Sequence, residues 1–307
     1  MSTEVGTRQT VTPAVTAPAS AVRKKSPYPY WFCLPAAVIF IVFFVVPTFS
    51  SFFFSLTRWD LTDWEFIGLD NFIQFFQEPA LVMSLKNTLI YAVVTCGLKV
   101  VLGILLAQLL TSQIIARGLL RSVAFFPVLV STIGVGLTFT VLMDPSNGLI
   151  NKSLALIGIN GPAWLVDPRT ALLSVALVDV WKGVGLATVI FIAGIVSIPR
   201  EYFEASSVDG ASAFRRFWHI VLPLSKPAIT TVIILSLIGG LRSFDLIWAM
   251  TRGGPGFTSD VIASVIYKQY QAGFYGLSTA GNVVLFLLVT AIVFPLYGFF
   301  TRREVDL

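Results

Sequence analysis

Six apolar runs, at about residues 31–56, 87–112, 118–143, 170–198, 223–250 and 277–300, interrupt this sequence. As helices rising 1.5 Å per residue, each can cross the ~30 Å hydrocarbon layer of a bilayer. A lipid environment leaves few alternatives, because backbone polar groups must then be satisfied within the helix itself. Charged side chains are only 12% of the 307 residues and mean hydropathy is +0.83. A soluble domain carries about twice that share of charge, so a single water-soluble core is excluded, as are a disordered chain and a disulfide scaffold. The expected class is an all-α integral membrane protein with six transmembrane helices.

Residues 1–26 are rich in Thr, Ala, Val, Ser and Pro and end in Arg23-Lys24-Lys25. That composition reads as a disordered cytoplasmic tail, followed by a six-span domain over 27–307. The first apolar run is too long for a signal-peptide core and lacks a small-residue cleavage pattern, so it is expected to stay as an anchored helix. Cys33 and Cys96 lie in apolar runs, form no CxxC pair and read as packing residues. No internal repeat is visible.

Twelve of the 21 Lys and Arg residues fall on the side of the N-terminus, six on the other and three within spans. That excess places both termini in the cytoplasm, N-in and C-in. The same distribution explains the net charge of +5 without nucleic acid, since the basic residues form no stripe. Trp59, Trp64, Trp164 and Trp248 stand near span ends, as an interfacial belt requires.

The most distinctive polar stretch is the predicted cytoplasmic loop at about 199–223. Pro199 can open a short helix with Glu201 in its first turn, and Asp209-Gly210 supplies a turn. Ser212 can then cap a second helix on which Phe214, Phe217, Trp218 and Val221 make one apolar stripe. Periodicity alone leaves two readings: an amphipathic hairpin lying on the headgroups, or a stiff knob that transmits force from a soluble partner. His219, the lone histidine, reads as solvated or phosphate-facing.

Glu204-Ala205-Ser206-Ser207-Val208-Asp209-Gly210-Ala211, with Phe217 and Leu222-Pro223-Leu224 beyond, resembles the EAA loop of bacterial ABC-importer permeases. Ser206 departs from the family's usual Ala. Ser243-Phe244-Asp245 through Arg252-Gly253-Gly254-Pro255 resembles the end of the fifth core span in carbohydrate permeases of the maltose and glycerol-3-phosphate type. Phe66 to Phe72 and Pro162 to Pro168 resemble outer loops of the same group. The resemblance implies the type I ABC importer permease fold in a bacterial cytoplasmic membrane. It also implies a second homologous permease, a cytoplasmic ABC ATPase dimer and an extracytoplasmic solute-binding protein as partners, with lipid around the spans.

Under that resemblance Glu204, Ala205, Asp209, Gly210, Ala211 and Phe217 are the ATPase-coupling positions. Val128, Thr132, Trp181, Gly183, Ser236, Gly240 and Ser243 fall on the solute pathway. Gly240 departs from the amide side chain used there in the maltose system. Trp181, Thr132 and Ser243 have chemistry suited to sugars, an aromatic face and hydroxyls. Asp179 with Lys182, and Arg242 with Asp245, stand three apart and can neutralise each other; both pairs read as structural or gating elements. Pro35, Pro47, Pro127 and Gly239-Gly240 are either hinges or ordinary residues of membrane helices.

The sequence holds no G-x-x-x-x-G-K-[ST] loop, so ATP and Mg are expected on the partner ATPase and no cofactor in this chain. A zinc protease would need His-Glu-x-x-His, which one histidine cannot supply. An ion-coupled transporter working alone would leave the 199–223 loop without a purpose.

Overall fold

A computed structural model describes residues 30–302; the expected tail over 1–26 lies outside them. Of the described residues, those from 30 to 47 form one compact unit and those from Thr48 a second. In the first, helix α1 (Trp31–Phe54) begins, passes through a π turn at Ile41–Val45, and exposes nearly every side chain. Pro47 follows that turn and cannot donate a helical hydrogen bond, the usual reason for such a widening.

In the second unit, α1 ends at a two-stranded antiparallel hairpin, β1 (Thr57–Trp59) and β2 (Trp64–Phe66), in which Arg58 faces Glu65. The sequence reading placed no strand here. The Asp60 carboxylate builds the turn, accepting from the Thr62 and Asp63 amides at 3.0 and 2.7 Å. These bonds hold its pKa below the ordinary value. Next comes α2 (Asp70–Gln77), whose buried Asn71 donates to the Ser55 and Thr57 carbonyls, both at 2.9 Å.

The long helices α3 (Pro79–Thr111) and α7 (Ala171–Val196) pack side by side. They run parallel, with Gly183 against Lys99 and Gly103 against Ala187. Glycine is required at Gly185 too, where a Cβ would stand 2.1 Å from the Ala124 carbonyl oxygen. Between them in sequence lie α4 (Arg117–Leu129), α5 (Thr132–Leu142) and the short α6 (Leu149–Leu156). Arg121 reaches from α4 to the Leu110 carbonyl at 2.8 Å, a cation closing the C-terminal end of α3.

The loop after α7 holds α8 (Arg200–Val208) and α9 (Ala213–Leu224), followed by α10 (Lys226–Leu241) and α11 (Asp245–Met250). The chain closes with α12 (Ile262–Gln271) and α13 (Tyr275–Thr301). Buried residues of α3, α7, α9 and α10 form one core, among them Ile104, Phe191, Val221 and Val232. Tyr91, Val135, Val178 and Ile247 join α3, α5, α7 and α11 in another.

Among the described residues four helices, α1, α3, α7 and α13, are long and apolar enough to cross a membrane unbroken. The other two expected spans are bent. The 118–143 run is split into α4 and α5 at an angle of 97°, the break falling at residues 130–131, just beyond Pro127 in the last turn of α4. The 223–250 run is interrupted twice. One bend, of 71°, falls at Ser225 between α9 and α10, and the helix stops again at residues 242–244. Alone, the 16 residues of α10 would extend only about 24 Å. Counting each bent pair as one crossing gives six.

Candidate functional site

A polar stripe runs along the inner face of α3. Asn87, Tyr91, Thr95 and Lys99 recur every four residues, so they stack on one side of the helix, and all four are buried. Asn87, at the end near the hairpin, donates its amide to the Thr258 and Asp260 carbonyls at 3.0 and 2.9 Å. Thr95 returns its hydroxyl to the Tyr91 carbonyl at 2.8 Å. Lys99 crosses to α7 and meets Asp179 at 2.8 Å.

This pairing corrects the sequence expectation. Asp179 is paired across helices rather than with Lys182, and among the described residues Lys182, Arg242 and Asp245 form no ion pair. The reason is direction, because Asp179 faces α3 whereas a neighbour three residues on is rotated away from that contact. Arg242 lies in the break before α11, outside any helix it could share with Asp245, and both are exposed.

The wholly buried Tyr91 hydroxyl points at the Asp179 carboxylate and the Ser243 hydroxyl without completing a hydrogen bond to either. Ser243 belongs to the 242–244 break, so two helices and a loop bring Tyr91, Lys99, Asp179 and Ser243 into one cluster. Gly183 makes room for it, since a Cβ there would stand 2.6 Å from the Lys99 Cε. Gly240 packs its backbone on Ala92 and Thr95 of α3, where a Cβ would lie 2.7 Å from the Ala92 Cα.

The other expected pathway residues are more open. Trp181 is 44% exposed and rests on Phe139 of α5, ring centroids 5.2 Å apart. Val128 and Thr132 flank the break between α4 and α5, and Ser236 sits on α10; all three are half-buried. The Thr132 and Ser236 hydroxyls engage no partner among the described residues. The structure therefore draws Gly183 and Ser243 to the charged cluster and sets Gly240 beside it, against Thr95. Sequence reasoning missed Tyr91 and gave Lys99 no partner. The spacing of four between Asn87, Tyr91, Thr95 and Lys99 was the available signal.

The loop at about 199–223 forms two short helices with a turn at Gly210, as expected. Pro199 stands just before α8 as its N-cap, one position earlier than expected, and Glu201 lies in the first turn. At the far end Gly210 has φ +68. The Ala211 amide bonds to the Ser206 carbonyl at 2.9 Å and the Gly210 amide to Ser207 at 3.2 Å. This is the Schellman closure, which needs a left-handed residue where Gly210 stands. Ser212 caps α9 through the Arg215 amide at 3.3 Å, and Arg216 reaches back to the Ser207 hydroxyl at 3.3 Å. Glu204, Ala205 and Asp209 are exposed and Ala211 is half-buried.

The predicted apolar stripe of α9 divides in two. Val221 is buried and Phe217 and Phe203 pack beside it on the core of α3, α7 and α10. Phe214 and Trp218 remain 74% and 49% exposed, edge to face against each other. A π turn at Phe217–Val221, ahead of Pro223, rotates the second half of α9 and separates the two faces. Ser206 is buried, and its hydroxyl is satisfied by the Phe203 carbonyl at 2.8 Å, so the change from Ala leaves no orphan. His219 is exposed, and its Nδ1 donates to the Arg215 carbonyl 3.0 Å away.

The Gly-Gly-Pro loop is held by a buried carboxylate. Asp260 accepts from Ser264 at 2.8 Å and from Lys268 at 2.6 Å. Gly253, at φ +85, lies so close that a Cβ would stand 1.8 Å from an Asp260 oxygen.

Residues 99–305 match the family model described as binding-protein-dependent transport system inner membrane component. The trehalose/maltose transport system permease protein of Thermococcus litoralis is 34% identical over 278 residues, 89% of this chain and 94% of that one. The sn-glycerol-3-phosphate transport system permease protein of Pectobacterium atrosepticum is 32% identical over 292 residues, 92% of this chain and 97% of its own. Among solved structures, a chain of a bacterial ABC transporter involved in import of the acidic polysaccharide alginate superposes with a TM-score of 0.79 at 24% identity. The match covers 89% of this chain and 94% of that one.

Proposed function

We propose, because the chain belongs to the family of binding-protein-dependent transport system inner membrane components, that it is one transmembrane half of an ATP-driven importer for a carbohydrate or carbohydrate-like solute. Its six crossings lie N-in and C-in, with each bent pair making one crossing. A second homologous permease completes the channel, and a cytoplasmic ATPase dimer that binds ATP and Mg drives it. An extracytoplasmic binding protein delivers the solute to the end carrying the hairpin and the Gly-Gly-Pro loop.

The observation that carries the coupling half of this reading is the knob. Two short helices are locked at Gly210 and Arg216, and their buried side, Phe203, Phe217 and Val221, is seated on the ends of α3, α7 and α10. A push on the exposed Glu204 and Asp209 is thereby delivered to α3, α7 and α10. Val128, Thr132, Trp181, Gly183, Ser236, Gly240 and Ser243 line the solute route, with Trp181 offering an aromatic face to sugar C–H groups.

The test is purification of the tagged chain from mild detergent, followed by reconstitution with the partners it retains. A second permease and an ATPase should co-purify, and the assembly should import a radiolabelled sugar only with ATP. Glu204→Lys and Gly210→Pro should abolish uptake while the chain still inserts. Normal uptake by both variants would refute the coupling role; a lone chain without ATPase would refute the importer.

A further inference from the structure

A run of aromatic rings leads from the hairpin to the break before α11. Trp59 stands 5.7 Å from Tyr275, Tyr275 stands 5.2 Å from Tyr270, and Tyr270 and Tyr267 are near-parallel at 6.5 Å. Tyr267 then meets Trp248 edge-on at 4.8 Å and Phe244 at 5.3 Å. Phe244 is the residue after Ser243, so the run ends beside the cluster described above. A cleft of about 280 Å³ opens along it, lined by Phe244, Ile266, Tyr267, Tyr270, Ser278 and Asn282.

An aromatic belt facing lipid needs only rings at interfacial depth. This cleft has more. The Tyr267 and Tyr270 hydroxyls make no hydrogen bond among the described residues, and Tyr270 is 53% exposed. The Asn282 amide makes a single long contact, 3.4 Å, to the Ser278 carbonyl, leaving its oxygen uncommitted. Ring faces, two phenols and an amide around one cleft are the groups that recognise a sugar ring, apolar on its C–H faces and polar at its rim. The volume is just below the lower end of small-ligand pockets, enough for about one ring. No charged side chain lines it, which favours an uncharged ring over an acidic one.

We infer that this cleft is a carbohydrate subsite for a neutral pyranose ring, on the route between the loops and the Ser243 region. The inference rests on the carbohydrate-import reading. Tyr267 and Tyr270 hold the ring by stacking, and Asn282 takes its hydroxyls.

The test uses the assembled transporter in proteoliposomes with maltotriose as the probe. In a Cys33→Ser background, which removes the exposed native thiol, Tyr270→Cys is labelled with a maleimide. Saturating maltotriose should slow labelling at least fivefold, and an alginate trisaccharide should do so less. Tyr267→Ala with Tyr270→Ala should raise the KM for maltotriose uptake about tenfold with Vmax within twofold, whereas the two Tyr→Phe changes, which keep the rings and lose the phenols, should raise KM by a smaller factor. No protection and an unmoved KM, with uptake intact, would overturn the subsite and leave the transport reading standing. Protection without any ATP-dependent uptake would support the subsite and refute transport. Protection by lipid or by cross-linking to the second permease in place of sugar would overturn the subsite.

Discussion

Lys99 and Asp179 join α3 to α7 through an ion pair of 2.8 Å, with side chains only 10% and 22% exposed. Tyr91 and Gly183 crowd this contact, and Lys182, one turn along α7, forms no ion pair among the described residues. Removing one charge strands the other in an apolar setting, a loss of about 3–5 kcal/mol for a fully buried pair. Partial exposure reduces this, so Lys99→Met should cost about 2–3 kcal/mol. Lys99→Met with Asp179→Leu should recover much of it, because an apolar pair has nothing to strand. Thermal unfolding of the purified complex decides the matter, and a double variant no better than Lys99→Met would contradict it.

Close helix contact makes a sharper contrast between two glycines. Gly185→Ala places a methyl against the Ala124 carbonyl and has no flexible atom to displace, whereas Gly97→Ala meets nothing within 4 Å. Overpacking costs about 1–3 kcal/mol, so the first should lower the melting temperature and the second leave it unchanged or raise it. Equal effects would mean that α4 does not bear on α7 as described.

Gly253→Ala combines a left-handed backbone with a collision at Asp260. The strain alone is about 1–2 kcal/mol. Displacing Asp260 also loosens its bonds to Ser264 and Lys268. Protease cleavage within residues 251–262 should therefore accelerate at least tenfold, whereas Gly256→Ala, with open space but the same backbone sign, should show the strain alone.

Asp60 gives a pH-dependent turn. Its pKa is lowered by the Asp63 and Thr62 bonds, so its contribution is complete above the unfolded value of about 3.8 and is lost as pH falls through the lower folded value. Amide exchange at Thr62 and Asp63 should be slower in the parent than in Asp60→Asn at pH 6, with the difference shrinking toward pH 3. A gap that persists in acid would mean that the carboxylate charge is not what holds the turn.

Apolar length alone found every long helix, because lipid-facing surface must be apolar whatever packs behind it. The knob was also legible, since Pro199, Gly210 and Ser212 each restrict the backbone locally. What sequence length could not show were the breaks at 130–131 and 242–244. Apolar composition continues through the first with only Ser131 to interrupt it, while Arg242, Ser243 and Asp245 at the second read as polar groups inside one span, and only Pro127 and Gly239-Gly240 hinted at a bend. The charged pair was misassigned for a related reason. A spacing of three within one helix is visible in the chain, while the contact between Lys99 and Asp179 exists only once two helices are laid together. Tyr91 escaped notice because a phenol in an apolar run looks like packing until its hydroxyl is seen facing Asp179.

The helices beyond the two breaks, α5 and α11, are clasped together at Gly136, where a Cβ would stand 2.6 Å from the Ala249 methyl. Neither joint can therefore turn by itself. A rotation at 130–131 swings α5, α5 carries α11, and the linker at 242–244 must follow. Fixing either joint with a cross-link should immobilise both.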